Sequence, residues 1–480
     1  MALQRHQPAY RALDQLVMEG KAQLVATPTI NNFALATVIQ PTQGQVAIIT
    51  KIVGMCYGYK ESSPDTQIEH SLFLYDASDT LTADGVKFIA FQRTDAVFAS
   101  PSGPDWRSSQ PNMPVIWEPE EPLIVPPRYS LKAVGSGDTQ GGSNFACYGY
   151  LVDVDTARHL GFEVGKDAQT AGAVGVGGFG SALTVGFTSG VRGNTTSLVE
   201  LVHPPVGYGL QIVDIYIRHQ QLTFDPTQTA ILFHGATVTD YLTSSNIIFT
   251  TANNNPSNFA EWKASPGIYL PVNRGLYFAT AGTARASITV TYRLIKSEDI
   301  PKDHWWSYTG AFPTQGTTTG TSSLFTTGAT GVTLNYPGRF GASDATATLP
   351  GNGKQHVVEG FMICAQKDAT VNQDQAAFAI ATGSSGGSVG LPSSGVGTIN
   401  NLISPIFTLS GHDQLLAIAV DGLNVPCVKD TGFVLIDSTT TGYSATPVAA
   451  DRDIDEFHCL IWGRTLPARF GTGHFQGSNA

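Results

Sequence analysis

Charge is scarce in this sequence. Only 14% of its 480 residues are Asp, Glu, Lys or Arg, against about a quarter in ordinary soluble domains. Positive charge is the scarcer sign: 27 Lys and Arg stand against 38 Asp and Glu, a formal net charge of −11. A protein that neutralises phosphates needs a basic face, and no basic cluster occurs, so nucleic acid is not an expected partner. Cysteine is confined to Cys56, Cys147, Cys364, Cys427 and Cys459, far apart and without a CxxC pair. That spacing argues against zinc ligation and a disulfide framework, and leaves reduced thiols buried as small apolar residues. No apolar run reaches the roughly 18 residues of a membrane helix, so no membrane association is expected. The first basic residues are not followed by an apolar stretch, so no secretory signal is expected either.

The motifs of catalysis are missing too. Gly383-Ser384-Ser385-Gly386-Gly387-Ser388 spells GxSxG but lies in a Ser/Gly-rich low-complexity stretch and is not read as a nucleophile elbow, and there is no HExxH or HxH pair and no EF-hand loop. The neighbours His412-Asp413 and His458-Cys459 would point to opposite faces of a strand. Gly175-Val176-Gly177-Gly178-Phe179-Gly180 matches the GxGxxG string. A dinucleotide site needs a helix after it, and an alternating strand follows from Ser181 to Phe187. The acidic run Asp451–Glu456 reads as a solvated turn, and Glu118, Glu120 and Glu121 sit among prolines in an exposed setting. No catalytic, cofactor-binding or metal residue is therefore assigned, no cofactor is expected, and the chain is not expected to be an enzyme.

What the sequence has in quantity is glycine (51), proline (27) and apolar residues (42%). Short strands, many turns and a surface carried by Ser, Thr, Asn and Gln make an all-β protein. One stretch recurs: Pro126-Pro127-Arg128-Tyr129, then Pro271-Val272-Asn273-Arg274-Gly275-Leu276-Tyr277, then Pro426-Cys427-Val428-Lys429. Proline fixes φ at the start of a strand and an aromatic can follow it into a core. The basic residue is expected to be a solvated turn residue. The recurrence predicts three tandem β-sandwich, jelly-roll-like domains with a short N-terminal helical arm. The expected division is 1–28 arm, 29–160 first sandwich, 161–195 Gly-rich connector, 196–297 second sandwich, 298–350 Thr/Gly-rich connector, 351–465 third sandwich and 466–480 tail.

In the arm, Tyr10, Leu13, Leu16 and Val17 fall at helical spacing and Gly20 ends the run. These four either dock on the chain's own first domain or contact a partner, and they are the candidate partner-contact residues. Trp305-Trp306-Ser307-Tyr308 is expected to fill the cleft between the second and third domains, with stacking on a sugar as the other reading. The loop Ser100–Trp117 is a second candidate for glycan contact.

Tandem sandwiches of this size, a Gly/Thr/Ser-rich composition, few charges and a short arm resemble virion structural proteins of tailed bacteriophages, most nearly the capsid decoration or cement proteins. The resemblance implies a location on the outer capsid surface of a virion, the major capsid protein as partner, and a homo-oligomer with a trimer favoured. The alternative is a tail or head fibre subunit that binds a host glycan.

Overall fold

The computed structural model describes residues 7–31, 36–58, 67–75, 87–94, 115–118, 122–136, 141–162, 182–190, 197–220, 229–237, 239–240, 246–252, 259–280, 285–311, 334–339, 346–347, 353–367, 375–383, 404–405, 407–409, 415–427, 432–440 and 454–467. The GxGxxG string, the loop Ser100–Pro114 and the tail from Ala468 lie outside them.

Helix α1 (Gln7–Met18) comes first. The strands of the first unit are β1 (Gln23–Asn31), β2 (Ala36–Ile39), β3 (Gln45–Gly58), β4 (Gln67–Tyr75), β5 (Lys87–Thr94), β6 (Val115–Trp117), β7 (Leu123–Val125), β8 (Ser130–Ser136) and β9 (Gly141–Asp153), closed by α2 (Val154–His159). The second unit holds β10 (Ala182–Gly190), β11 (Ser197–Val202), β12 (Tyr208–Gln220), β13 (Thr229–Gly235), β14 (Ile247–Ala252), β15 (Phe259–Ala264), β16 (Ile268–Tyr269), β17 (Gly275–Thr280) and β18 (Arg285–Lys296). The third holds β19 (His304–Ala311), β20 (Leu334–Asn335), β21 (Thr346–Ala347), β22 (Lys354–Lys367), β23 (Gln375–Gly383), β24 (Phe407–Leu409), β25 (Leu415–Val420), β26 (Val425–Pro426), β27 (Gly432–Thr440) and β28 (Ile454–Pro467). The chain is all-β, as its composition predicts. Two stretches expected as connectors carry strands: β10 falls within 161–195, and β19, β20 and β21 fall within 298–350.

Strand order makes each unit a jelly roll. In the first, one sheet runs β1-β9-β3 with β6 and β7 sharing the far edge of β3, and the facing strands run β5-β4-β8-β2. First strand lies beside last, and second beside second-to-last, as when one long antiparallel hairpin is wound up. The second unit repeats this as β10-β18-β12 with β15 and β16, facing β11-β17-β13-β14. The third gives β21-β20-β19-β28-β22 with β25 and β26, facing β24-β23-β27; first strand again lies beside last, but β20 pairs with β19 and not with the second-to-last strand β27.

Local backbone repeats just as closely. One long strand of each roll, β3, β12 and β22, follows a glycine with positive φ: Gly44 (95°), Gly207 (86°) and Gly353 (70°). Each then carries a β-bulge at its sixth residue, Thr50, Val213 and Glu359, where pairing skips one position. The bulge bends the strand, and at that bend the partner on the outer edge divides in two, β6/β7, β15/β16 and β25/β26.

The recurring proline stretch is a turn. Tyr129 N–H donates to the Pro126 carbonyl (3.2 Å) and Arg274 N–H to that of Pro271 (3.3 Å). Arg128 (φ 67°) and Asn273 (φ 60°) hold the third position, so both are type II turns. Arg128 is exposed and donates to Gln43 Oε1, while Arg274 pairs with Asp240 at 3.0 Å. In the third roll the left-handed residue is Asn424 (φ 50°), two places before Pro426. The third copy thus begins earlier than the proline spacing suggests, and Val428–Thr431 lie outside the described residues.

The rolls are joined differently at their two junctions. Gly186 of β10 pairs with Lys87 of β5, which fuses the facing sheet of the first roll and the first-strand sheet of the second into one nine-stranded sheet. The second and third rolls meet face to face. Alternation along β19, β22 and β28 sends Trp305, Phe361, Ile363, Cys459 and Ile461 into the third roll's own core. It sends Trp306, Met362, Cys364, Leu460 and Trp462 outward, into a core shared with Phe249 and Trp262 of the second roll. A buried indole removes on the order of 200 Å² from water, worth up to about 5 kcal/mol.

Candidate interaction surface

Helix α1 ends as its sequence requires. Gly20 has φ 72°, Gly20 N–H donates to the Val17 carbonyl (3.0 Å) and Lys21 N–H to that of Leu16 (2.8 Å). This is a Schellman cap, in which a left-handed glycine turns the chain and satisfies the last carbonyls. The cap aims the chain into β1, so the helix folds back over the outside of the β1-β9-β3 sheet.

Tyr10, Leu13, Leu16 and Val17 all lie on the face turned to that sheet. They pack with Val46 and Ile48 of β3, Val152 of β9, Ala157 of α2 and Phe162. Leu13 is wholly buried, while Tyr10, Leu16 and Val17 are half-buried. The Tyr10 ring stacks on Tyr150 (centroids 6.3 Å) and Phe162 (6.0 Å). Tyr150 hydroxyl donates to Asp14 Oδ1 at 2.8 Å. Burial raises the Tyr10 hydroxyl pKa, with Tyr150 and then Asp214 adding to it. Tyr150 is pushed up to about 12, first by burial and then by its bond to Asp14. The structure therefore brings the four arm residues together against the chain's own first roll.

The helices cover only part of this face. Beyond them Leu24 of β1 is 66% exposed, Tyr148 of β9 40% and Ile116 of β6 38%. Lys51 and Glu118 form an ion pair (2.6 Å) beside them.

The second-to-third seam is closed by hydrogen bonds as well as by packing. Trp262 Nε1 donates to the Ile363 carbonyl (2.8 Å) and Trp306 Nε1 to the Tyr269 carbonyl (2.9 Å). Ser265 N–H donates to Asp421 Oδ2 (2.8 Å), whose carboxyl pKa burial raises. Tyr308 hydroxyl donates to Thr250 Oγ1 (3.0 Å) and lies 2.7 Å from His458 Nδ1. Trp305 and Trp306 are 2% and 1% exposed. Their buried rings leave no stacking platform for a sugar, and Trp306 with Tyr308 fills the cleft between the rolls. Trp117, at the end of the other glycan candidate, is also buried. A cleft at the seam lined by Tyr269, His304, Trp305, Glu359 and Trp462 is nearly filled, with a cavity of only about 10 Å³, far below the roughly 300–1,000 Å³ of small-molecule sites.

Among the described residues, no three His, Cys, Asp or Glu side chains stand together as a metal site. Cys147, Cys364, Cys427 and Cys459 are buried free thiols, and burial pushes Cys147 and Cys427 up to about 12. Sequence reasoning missed the open patch at Leu24, Tyr148 and Ile116. Its members come from three strands that are distant in the chain, and only the sheet order brings them together.

No protein-family model and no curated protein sequence matches the chain. Among solved structures it is similar to the major capsid protein P2 of bacteriophage PM2, at 9% identity and TM-score 0.24, over 57% of this chain and 98% of that one. It is similar also to the STIV MCP, at 8% identity and TM-score 0.25, over 63% of this chain and 100% of that one. A fucolectin from striped bass serum follows at 7% identity and TM-score 0.14. Values of this size describe a loose likeness in β-rich outline. The jelly-roll assignment stands on the chain's own strand order.

Proposed function

We propose that the chain is a non-enzymatic structural protein of a virion, and that it decorates the outer surface of a bacteriophage capsid and cements neighbouring capsid subunits. The observation that carries this reading is the triple jelly roll itself, locked at one junction by a continuous sheet and at the other by a buried tryptophan seam. Jelly rolls serve as capsid, lectin and cupin domains, and fold alone does not choose among them. The choice rests on what the aromatic residues do. In a lectin they would line an open site, whereas here Trp117, Trp262, Trp305, Trp306 and Trp462 are spent on cores and seams. That allocation makes a stiff body able to carry load between neighbours. The negative net charge keeps such a body apart from packaged nucleic acid.

The proposed partner is the major capsid protein, with the chain acting as a trimer. Half-buried Tyr10, Leu16 and Val17 sit at the border between α1 and its own roll, where a capsid subunit would complete their burial. The reading is tested by cryo-electron microscopy of particles from the source that encodes this chain. Three jelly rolls standing on the outer shell are the expected result. Density confined to a tail fibre, together with binding of purified protein to a glycan array, would overturn it in favour of a host-glycan adhesin.

A further inference from the structure

Alternation along β12 and β18 divides their residues between two faces. Ile215 and Ile217, with Ile288, Val290 and Tyr292, point into the second roll's core. Asp214 and Tyr216, paired with Thr291 and Thr289, point the other way. That outer face is closed as well: Asp214 is 5% exposed, Tyr216 2%, Thr289 2% and Thr291 1%. In the third roll the matching pairs after the bulge are Gly360 with Trp462 and Met362 with Leu460. Met362, Leu460 and Trp462 are buried by apolar packing and need no hydrogen bond. The second roll buries polar groups at the same positions.

Two of these groups are left incomplete by the protein. The hydroxyls Thr289 Oγ1 and Thr291 Oγ1 are buried and meet no protein hydrogen-bond partner. A hydroxyl both donates and accepts, and closing it off without a bond is unfavourable. The two stand two places apart on one strand, about 7 Å, a gap that two linked water molecules span. On the same face Thr289 is flanked by Tyr216 of β12 and by Gly186 of β10, and glycine has no side chain to fill the space beside the hydroxyl. Asp214, directly opposite Thr291, brings a carboxylate that can accept a further bond. With both threonines this deeply buried, the place suits nothing much larger than water. Buried waters make about three hydrogen bonds to polar groups of this kind.

We propose that Thr289 and Thr291 form a buried hydration site, which binds a pair of ordered water molecules on the outer face of β12 and β18. The second roll's sheet is then wet at the positions where the third roll's is dry. The inference does not depend on the virion reading.

The test is chemical denaturation of the full chain as wild type, Thr289→Val and Thr291→Val, together with a crystal structure of the wild type at a resolution that shows ordered water. Valine keeps the shape of threonine and removes only the hydroxyl. A hydroxyl bonded to water loses a hydrogen bond on this change, so each variant is expected to lower the folding constant about fivefold. A dry hydroxyl loses nothing, and valine in its place is neutral or stabilising. The crystal is expected to show water oxygens within hydrogen-bond distance of both Oγ1 atoms. Valine variants as stable as wild type or more so overturn the proposal. So does a crystal in which either hydroxyl is bonded to a protein atom instead, or in which no solvent density lies beside them.

Discussion

The indole N–H of Trp262 donates to the main-chain carbonyl of Ile363 at 2.8 Å, and the two residues belong to different jelly rolls. Trp262 lies on β15 and packs edge-on against Phe249 of β14, with centroids 5.7 Å apart. One side chain thus fills the second roll and clasps the third. Trp262→Phe keeps most of the volume but loses this bond, at a cost of about 0.5–1.5 kcal/mol. Trp262→Ala removes the packing too and costs about 3–5 kcal/mol. Chemical denaturation measures both. If the seam joins the rolls as described, the second and third should unfold in one transition in wild type and in two in Trp262→Ala.

Asn273 is left-handed for a reason beyond tolerance. Its Oδ1 accepts the N–H of Gly207 at 2.8 Å, which ties the type II turn to the turn that opens β12. Asn273→Ala loses that bond and places an unfavourable side chain at φ 60°. The expected loss is about 1–3 kcal/mol. Asn273→Gly loses the bond alone and should fall at the low end of that range. Equal thermal stability for wild type and Asn273→Ala would refute this account of the turn.

Those turns also show how far the sequence could be read. Pro126 and Pro271 announce the repeat because each opens a type II turn, whose third position demands a left-handed residue; the second position, which favours proline, holds Pro127 in the first copy and Val272 in the second. The third copy misleads, because Asn424 supplies the left-handed residue without a proline before it. Gly44, Gly207 and Gly353 mark the repeat better, yet nothing local separates them from the other glycines of a glycine-rich chain. Helix α1 was legible down to Gly20, since spacing and cap are local. Strand order was not: pairings such as Ala36 with Ala133, or Gly186 with Lys87, join distant segments. Trp305 and Trp306 could be assigned to the cleft by composition. Only the alternation of β19 shows that one indole serves the third roll's core and the other the seam.

Acid should weaken the second roll. Burial lowers His219 from the ordinary 6.5 to about 3. His234 falls equally far, through burial first and then the nearby Arg274 cation. Both are neutral when folded and bind a proton readily only when unfolded. Their contribution is therefore whole above the unfolded value of 6.5 and is lost progressively as pH falls from there toward 3. Each should cost about 2 kcal/mol between pH 7 and pH 5. Denaturant midpoints at the two pH values check this. His219→Gln should remove roughly half of the drop, and an unchanged drop would mean that other groups cause it.

The arm can be separated into what it does for its own roll and what it does for a partner. Leu13 is enclosed by the outer face of β3 and β9, and truncating such a side chain costs about 2–5 kcal/mol. Tyr150→Phe removes only the bond to Asp14 and should cost about 1 kcal/mol. In Leu13→Ala, hydrogen exchange along Gln7–Met18 should accelerate while β12 and β22 stay protected, because α1 closes the first roll and neither of those strands. A free arm that served partners alone would behave otherwise. Leu13→Ala would then leave exchange and stability of the isolated chain unchanged, and reduce only its binding to capsid shells. Exchange measured on the isolated chain separates the two outcomes, since no shell is present to hold the helix down.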